Sequence, residues 1–163
     1  MKSAQNIIDT LKLEPHPEGG YFRRVYESEQ TGPIGPNKAT RFLLTCIYYL
    51  LTDKSPIGHL HTNRSNIIHF YHGGAPITYT LVPPSGELRR ETLGSDLAQG
   101  QKLQLLVPGG WWKASQLESG EYGLISEAVA PGFDPEDMRF INQKEVDSQF
   151  PKLSTSLSHL CRT

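Results

Sequence analysis

The sequence predicts an all-β fold, an antiparallel sandwich or barrel, from three observations. Eight or nine short runs rich in β-branched and aromatic residues follow a period of two across about 110 residues from Tyr21 onward. Gly, Pro and Asn punctuate these runs, and no long helical pattern lies between them. The length of 163 residues suits one core, with about two-thirds of the unfolded surface buried at this size.

Ser3 can cap a short N-terminal helix in which Ile7, Ile8 and Leu11 fall at helical spacing, and Pro15 ends it. The strands read in order as "YFRRVYES", "RFLLTCIYYLL", "HLH", "NIIHFYH", "ITYTLV", "LRRETLG", "LQLLVP", "WWKASQL" and "YGLISEAVA". "TGPIGPN", "PPSG" and "ESGE" read as hairpin or sheet-crossing loops rather than linkers. After "APGFDPEDM" the alternation fades, and "NQKEVDSQF" and "KLSTSLSHL" read as two short helices before a frayed tail. Residues 1–163 form a single expected domain with its core at about 15–141, and there is no internal repeat.

Composition excludes several functions. Sixteen Lys and Arg against seventeen Asp and Glu leave a net charge of −1, with no basic block for nucleic acid or an anionic membrane. The longest apolar runs are far short of a membrane span and the N-terminus lacks a signal-peptide core, so the expected location is cytoplasmic. Cys46 and Cys161 make neither a disulfide framework nor a zinc spacing; both read as reduced thiols, Cys46 as core filler.

Four of the six histidines, His59, His61, His69 and His72, fall within "SPIGHLHTNRSNIIHFYHGG". On a regular strand, His59 and His61 project from one face. Two imidazoles there can be metal ligands, acid–base groups, pocket lining or solvent-exposed residues near a loop. "HLH" is followed by an apolar strand, then "HGG", and some forty residues later by "VPGGWWK".

These blocks resemble the cupin superfamily, whose first motif places H-x-H before a glutamate and a glycine and whose second reads P-x-G-x-x-H. His59, Leu60, His61 and Gly73 match the first, and Pro108, Gly109 and Gly110 match the start of the second. The glutamate would fall at Ser65 or Asn66, and the second-motif histidine is Lys113. The resemblance implies three histidines and one glutamate for a metal cupin, and this chain keeps two of those four. A protonated lysine is a poor ligand, so no metal and no other cofactor is expected; His69 or Glu127 would be the substitute ligands. "LEPHPEGGYFRRVYES", the histidine stretch, "VPGGWWKAS" and "SEAVAPGFDPED" together look like the Cupin_5 family, of unknown function, over about residues 5–141. That resemblance implies a cupin double-stranded β-helix, an RmlC-like jelly-roll barrel.

In "PHPEGGYFRRVY", Pro15 and Pro17 stiffen an extended entry and Gly19 and Gly20 permit a turn or a close backbone approach. Neither explains His16, Glu18 or Arg23. In the metal-free sugar-nucleotide epimerases of the cupin group a comparable segment binds the nucleotide across a dimer interface. By that resemblance Glu18, Gly19, Gly20, Tyr21 and Arg23 are ligand-contact candidates, with His16 beside them. An inward Lys113 needs a carboxylate, and Glu127 is the natural partner. Of the adjacent Trp111 and Trp112 one must face out, which suggests a dimer contact. Tyr79 either faces the pocket or packs. Asp137 and Arg139 are expected to fix their loop onto the barrel.

Three functions compete. The barrel binds a small polar or anionic metabolite through Lys113, Arg23 and the histidines, His69 included. Alternatively, it is a metal-independent sugar epimerase or isomerase in which His59 or His61 acts as base, Glu127 or Glu18 orients it and Tyr79 supplies the acid. The third is a metal-dependent oxygenase, weakened by the missing ligands. The expected partners are a small-molecule ligand such as a sugar derivative and a second copy of the chain, a homodimer formed by pairing of sheets. Neither nucleic acid nor membrane is expected.

Overall fold

The computed structural model describes residues 3–34 and 38–162. The tip of "TGPIGPN", residues 35–37, lies outside them.

Ser3 accepts from the Asn6 N–H and starts helix α1 (Ala4–Leu11). The helix ends at Lys12, in the left-handed conformation, before Pro15 is reached. Among the described residues thirteen strands follow: β1 (Glu14–Pro15), β2 (Tyr21–Glu27), β3 (Thr31–Ile34), β4 (Ala39–Phe42), β5 (Thr45–Thr52), β6 (Ile57–Asn63), β7 (Asn66–Gly74), β8 (Ile77–Val82), β9 (Arg89–Leu93), β10 (Gln104–Val107), β11 (Trp112–Gln116), β12 (Tyr122–Ala130) and β13 (Met138–Phe140). Helices α2 (Gln143–Gln149) and α3 (Ser154–Leu157) complete the chain, as the C-terminal pattern predicts.

Two sheets form the jelly roll. One runs β1-β2-β5-β12-β7-β10 and the other β13-β6-β11-β8-β9, with every pairing antiparallel. The expected single strand "RFLLTCIYYLL" is broken: its first residues belong to β4, which pairs with β3 in a separate hairpin. Part of the loop "TGPIGPN" is therefore strand.

Strand alternation sends Tyr49, Leu51, Ile77, Tyr79, Leu81, Leu93 and Ile125 between the sheets, where they fill one end of the barrel. On the outer side of the five-stranded sheet, Leu60, Val82, Trp112 and Ala114 meet Ile141, Val146, Leu157 and Leu160 from the C-terminal segment. Trp112 is thus the outward tryptophan, but the chain's own helices cover it, so it is no dimer contact. Cys46 is half-buried rather than core filler, whereas Cys161 is buried; both are free thiols. Among the described residues, no helix is long and apolar enough to cross a membrane.

Candidate functional site

Two facing rows of side chains build the site. Across the first sheet the register aligns Arg24, Ile47, Glu127 and His69 on β2, β5, β12 and β7. Across the second it sets His61 of β6 opposite Lys113 of β11. Toward the filled end each row gives way to apolar residues. Toward the other end the barrel stays open as a narrow cavity of about 40 Å³, whose lining includes Phe22, Asn63, Ile67, Val129 and Phe133.

A third element reaches in from the N-terminus. The His16 N–H donates to the Gly20 carbonyl and the Gly19 N–H to the His16 carbonyl, closing a tight turn before β2. Gly19 has φ +101°, and a Cβ there would lie 2.0 Å from the Ile57 carbonyl oxygen, so only glycine fits. The turn is tied to the barrel through the Tyr49 hydroxyl, which donates to the Gly19 carbonyl at 2.8 Å, and the His59 N–H, which donates to the Glu18 carbonyl at 2.6 Å. It delivers His16 and Glu18 into the cavity.

Glu18 Oε1 lies 3.1 Å from His61 Nε2, and His61 Nδ1 lies 2.7 Å from the His59 carbonyl. Burial pushes the Glu18 carboxyl up against the opposing pull of Lys113. Burial, reinforced by Lys113, pushes His61 down to about 3. On the other side, Glu127 Oε1 is shared by His69 Nδ1 at 3.1 Å and Lys113 Nζ at 3.5 Å, and Lys113 Nζ is also 3.5 Å from His69 Nε2. The Tyr79 hydroxyl sits 3.2 Å from His69 Nδ1. Burial favours a neutral Glu127, but the Lys113 ammonium and His69 outweigh it and hold the carboxyl well below the usual range. Burial and Lys113 lower His69 to about 4. Burial also lowers His16.

The cavity therefore contains His16, Glu18, Lys113 and Glu127 of the residues picked out by sequence. His61, His69 and Tyr79 support this lining from behind. Five candidates stand elsewhere, Gly19 among them in the turn just described. His59 is not in the lining, because β6 carries one extra residue against β11 between Gly58 and His61, which breaks the same-face relation of His59 and His61. It contributes its backbone, and its Nδ1 is buried without a partner. Tyr21 packs on the outer side of its sheet with Ile7 and Leu13, and Arg23 donates to the Leu11 carbonyl. Gly20 acts through the turn alone. His72 also lies outside, hydrogen-bonded to Ser126.

Sequence reasoning missed Arg24, Asn63 and the apolar wall. Alternation shows that Arg23 and Arg24 face opposite ways, but not which one faces in. Arg24 is exposed at the mouth, its guanidinium 5.8 Å from the centre of the Phe133 ring and only loosely held, 3.4 Å from both the Phe133 carbonyl and Glu27. Asp137 does fix its loop, pairing with Arg41 at 2.9 Å and Arg64 at 2.6 Å. Arg139 instead pairs with Glu145 at 2.6 Å and lies over Trp112.

The donor set does not fit a metal ion. An ammonium lies 3.5 Å from both His69 Nε2 and Glu127 Oε1, and His61 spends both nitrogens on protein partners. Among the described residues, no group of three or more His, Cys, Asp or Glu side chains is placed to hold one.

The chain has relatives both by sequence and by structure. Protein YML079W of Saccharomyces cerevisiae, itself uncharacterised, is 40% identical over 156 residues, covering 88% of this chain and 77% of its own. A hypothetical protein from Leishmania major superimposes with a TM-score of 0.91 at 29% identity. Protein SO0799 from Shewanella oneidensis does so with 0.89 at 32% identity, and each alignment covers 99% of both chains. Oxalate decarboxylase from Bacillus subtilis, with a TM-score of 0.56 and 15% identity over 90% of this chain and 36% of its own, shares the fold alone. The family Cupin_5, described as Cupin superfamily (DUF985), matches residues 5–141, and the chain belongs to it.

Proposed function

We propose that the chain binds a small anionic metabolite inside its barrel. The observation that carries this reading is the gradient along the cavity. A loosely held arginine stands at the mouth, Phe22, Ile47, Ile67 and Val129 form an apolar wall, and Glu18, Lys113 and Glu127 make a polar floor. A molecule with a carboxylate at one end and a hydroxyl or carbonyl at the other matches it, and small sugar acids share that chemistry. A metal-dependent oxygenase has no support from the donor set. An epimerase with a histidine base has little, since His61 and His69 have both ring nitrogens occupied.

The test is calorimetric titration with short-chain carboxylates, oxo acids and sugar acids beside their neutral amides. Arg24→Met should weaken carboxylates by about 1–3 kcal/mol, the range for a charge-assisted hydrogen bond, and leave the amides unchanged. Equal effects on both series, or silence from every carboxylate, would refute the reading.

The second copy expected as a partner finds support on the outer face of the six-stranded sheet, where Ile68 and Leu106 are paired in register and both exposed. Light scattering should report a dimer that Leu106→Asp dissociates. The two free cysteines accord with the cytoplasmic location.

A further inference from the structure

Hydrogen-bond capacity decides which atom of the Glu18–His61 pair can meet a ligand. The His59 carbonyl can only accept, so at 2.7 Å His61 Nδ1 carries a hydrogen in every charge state. Nε2 then faces Glu18 Oε1 at 3.1 Å, and a lone pair opposite a carboxylate oxygen at that distance is repulsive. One proton must lie between them, donated either by the Glu18 acid or by the imidazolium. Both nitrogens of His61 are thereby used, and its ring is 3% exposed. His69 is fully buried and equally occupied.

Glu18 Oε2 is different. Among the described residues it makes no hydrogen bond: His16 Nδ1 lies 3.8 Å away, too far for one, and that nitrogen already accepts the Glu18 N–H at 3.1 Å. Glu18 lines the cavity, as do Lys113 and, at the mouth, Arg24.

We propose that Glu18 is the catalytic acid–base residue of this cavity, exchanging a proton with the carbon beside the carbonyl of a small oxo acid, and that His61 is its positioning residue. The inference rests on carboxylate binding in the barrel. With the carboxylate on Arg24, the ketone end reaches Glu18 and Lys113. Glu18 Oε2 takes the proton from the carbon as Oε1 hands the shared proton to His61 Nε2, and the imidazolium so formed, which burial and Lys113 disfavour in the empty cavity, is balanced by the negative charge that appears on the substrate. The C–H bond breaks, an O–H bond forms, and the electron pair moves to the carbonyl oxygen, giving an enolate that faces the Lys113 ammonium. Return of the proton to the same carbon exchanges it with solvent. Where the carbon that loses the proton bears a hydroxyl, return of the proton to the former carbonyl carbon, with the hydroxyl proton passing to the enolate oxygen, shifts the carbonyl. No oxidant or reductant is required. The opposite fates of the two cavity carboxyls, Glu18 raised by burial and Glu127 lowered by Lys113 despite its burial, accord with a division into proton carrier and fixed anion.

The probe is levulinate, which has a carboxylate at one end and a ketone at the other. Its hydrogens beside the ketone are followed by proton NMR in deuterium oxide, and its binding is measured separately by titration. The wild-type protein should bind levulinate and accelerate the exchange. Glu18→Gln, whose amide can still donate to His61 Nε2 and so keep the turn in place, should bind it within about twofold yet lose about 100-fold or more of the exchange rate. Glu18→Asp should recover part of the exchange, and His61→Asn should retain binding while moving its pH profile. Exchange by Glu18→Gln at the wild-type rate overturns the inference. So does wild-type protein that binds levulinate without accelerating exchange, and in that case the binding reading survives. Failure to bind levulinate also overturns it, and failure of the whole carboxylate series removes the underlying reading as well.

Discussion

Lys113→Met removes the positive charge that lets Glu127 remain ionised inside the barrel. The ammonium lies 3.5 Å from Glu127 Oε1, and Lys113 and Glu127 are 4% and 8% exposed. At an effective dielectric near 20 that separation corresponds to about 5 kcal/mol of attraction. Desolvation of both charges offsets much of it in the native pair. Truncating one partner, however, leaves the other buried without compensation, at a cost of about 3–5 kcal/mol. The His69 N–H remains to Glu127 but carries no full charge while His69 is neutral. Urea unfolding at pH 7 should show a loss in that range, equivalent to on the order of 10 °C in Tm for a chain of this size.

The loss should depend on pH with a definite sign. In the wild type the folded-state pKa of Glu127 is depressed, so its contribution is present above the ordinary carboxylate value and is lost only as pH falls through the depressed one. Without Lys113, burial dominates and the folded pKa rises above the unfolded value, so the variant gains relative stability as pH falls toward 5. His69 and His61, both lowered partly by Lys113, also move back toward normal in the variant and shift the difference in the same direction. Adding Glu127→Gln should restore most of the stability, since a neutral amide can still accept from His69. A Lys113→Met penalty that stays constant from pH 7 to 5, or a double variant no more stable than the single one, would refute this electrostatic account.

Wild-type stability should fall below about pH 6, because His61 and His69, lowered to about 3 and 4, protonate in the unfolded chain first. Glu18, raised by burial, works in the opposite direction but is one group against these two and His16, which burial also lowers, and urea midpoints across pH 4–8 check the balance. Gly19→Ala should cost about 1–3 kcal/mol through the clash with the Ile57 carbonyl, read from the thermal midpoint, and should lower the exchange rate because the turn carries Glu18. Trp112→Ala should cost about 3–5 kcal/mol by emptying the core beneath the C-terminal helices, and light scattering should show an unchanged oligomeric state.

Much of the architecture was legible because strand periodicity is local. Runs such as "ITYTLV" and "YGLISEAVA" coincide with β8 and β12, and the capping serine placed α1. The Lys113–Glu127 pair was legible too, since an inward lysine on a buried strand demands a carboxylate and the apolar strand "LISEAVA" offers one. Motif spacing failed at His59, where the two-residue rule assumes a regular strand and the bulge in β6 breaks it. Choosing Arg23 over Arg24 failed for a related reason: alternation says that neighbours face opposite ways, but only the register against β5 says which face is inside. Trp112 was misjudged because the helices that cover it lie some thirty residues further along the chain. By itself, then, the sequence determined the family, the strands and the stock of ionisable groups, all matters of local pattern and residue type. The tertiary structure alone decided that a glycine turn carries Glu18 to His61 and that Glu127 meets both His69 and Lys113, because proton position and charge compensation depend on distances of about 3 Å between groups far apart in the chain.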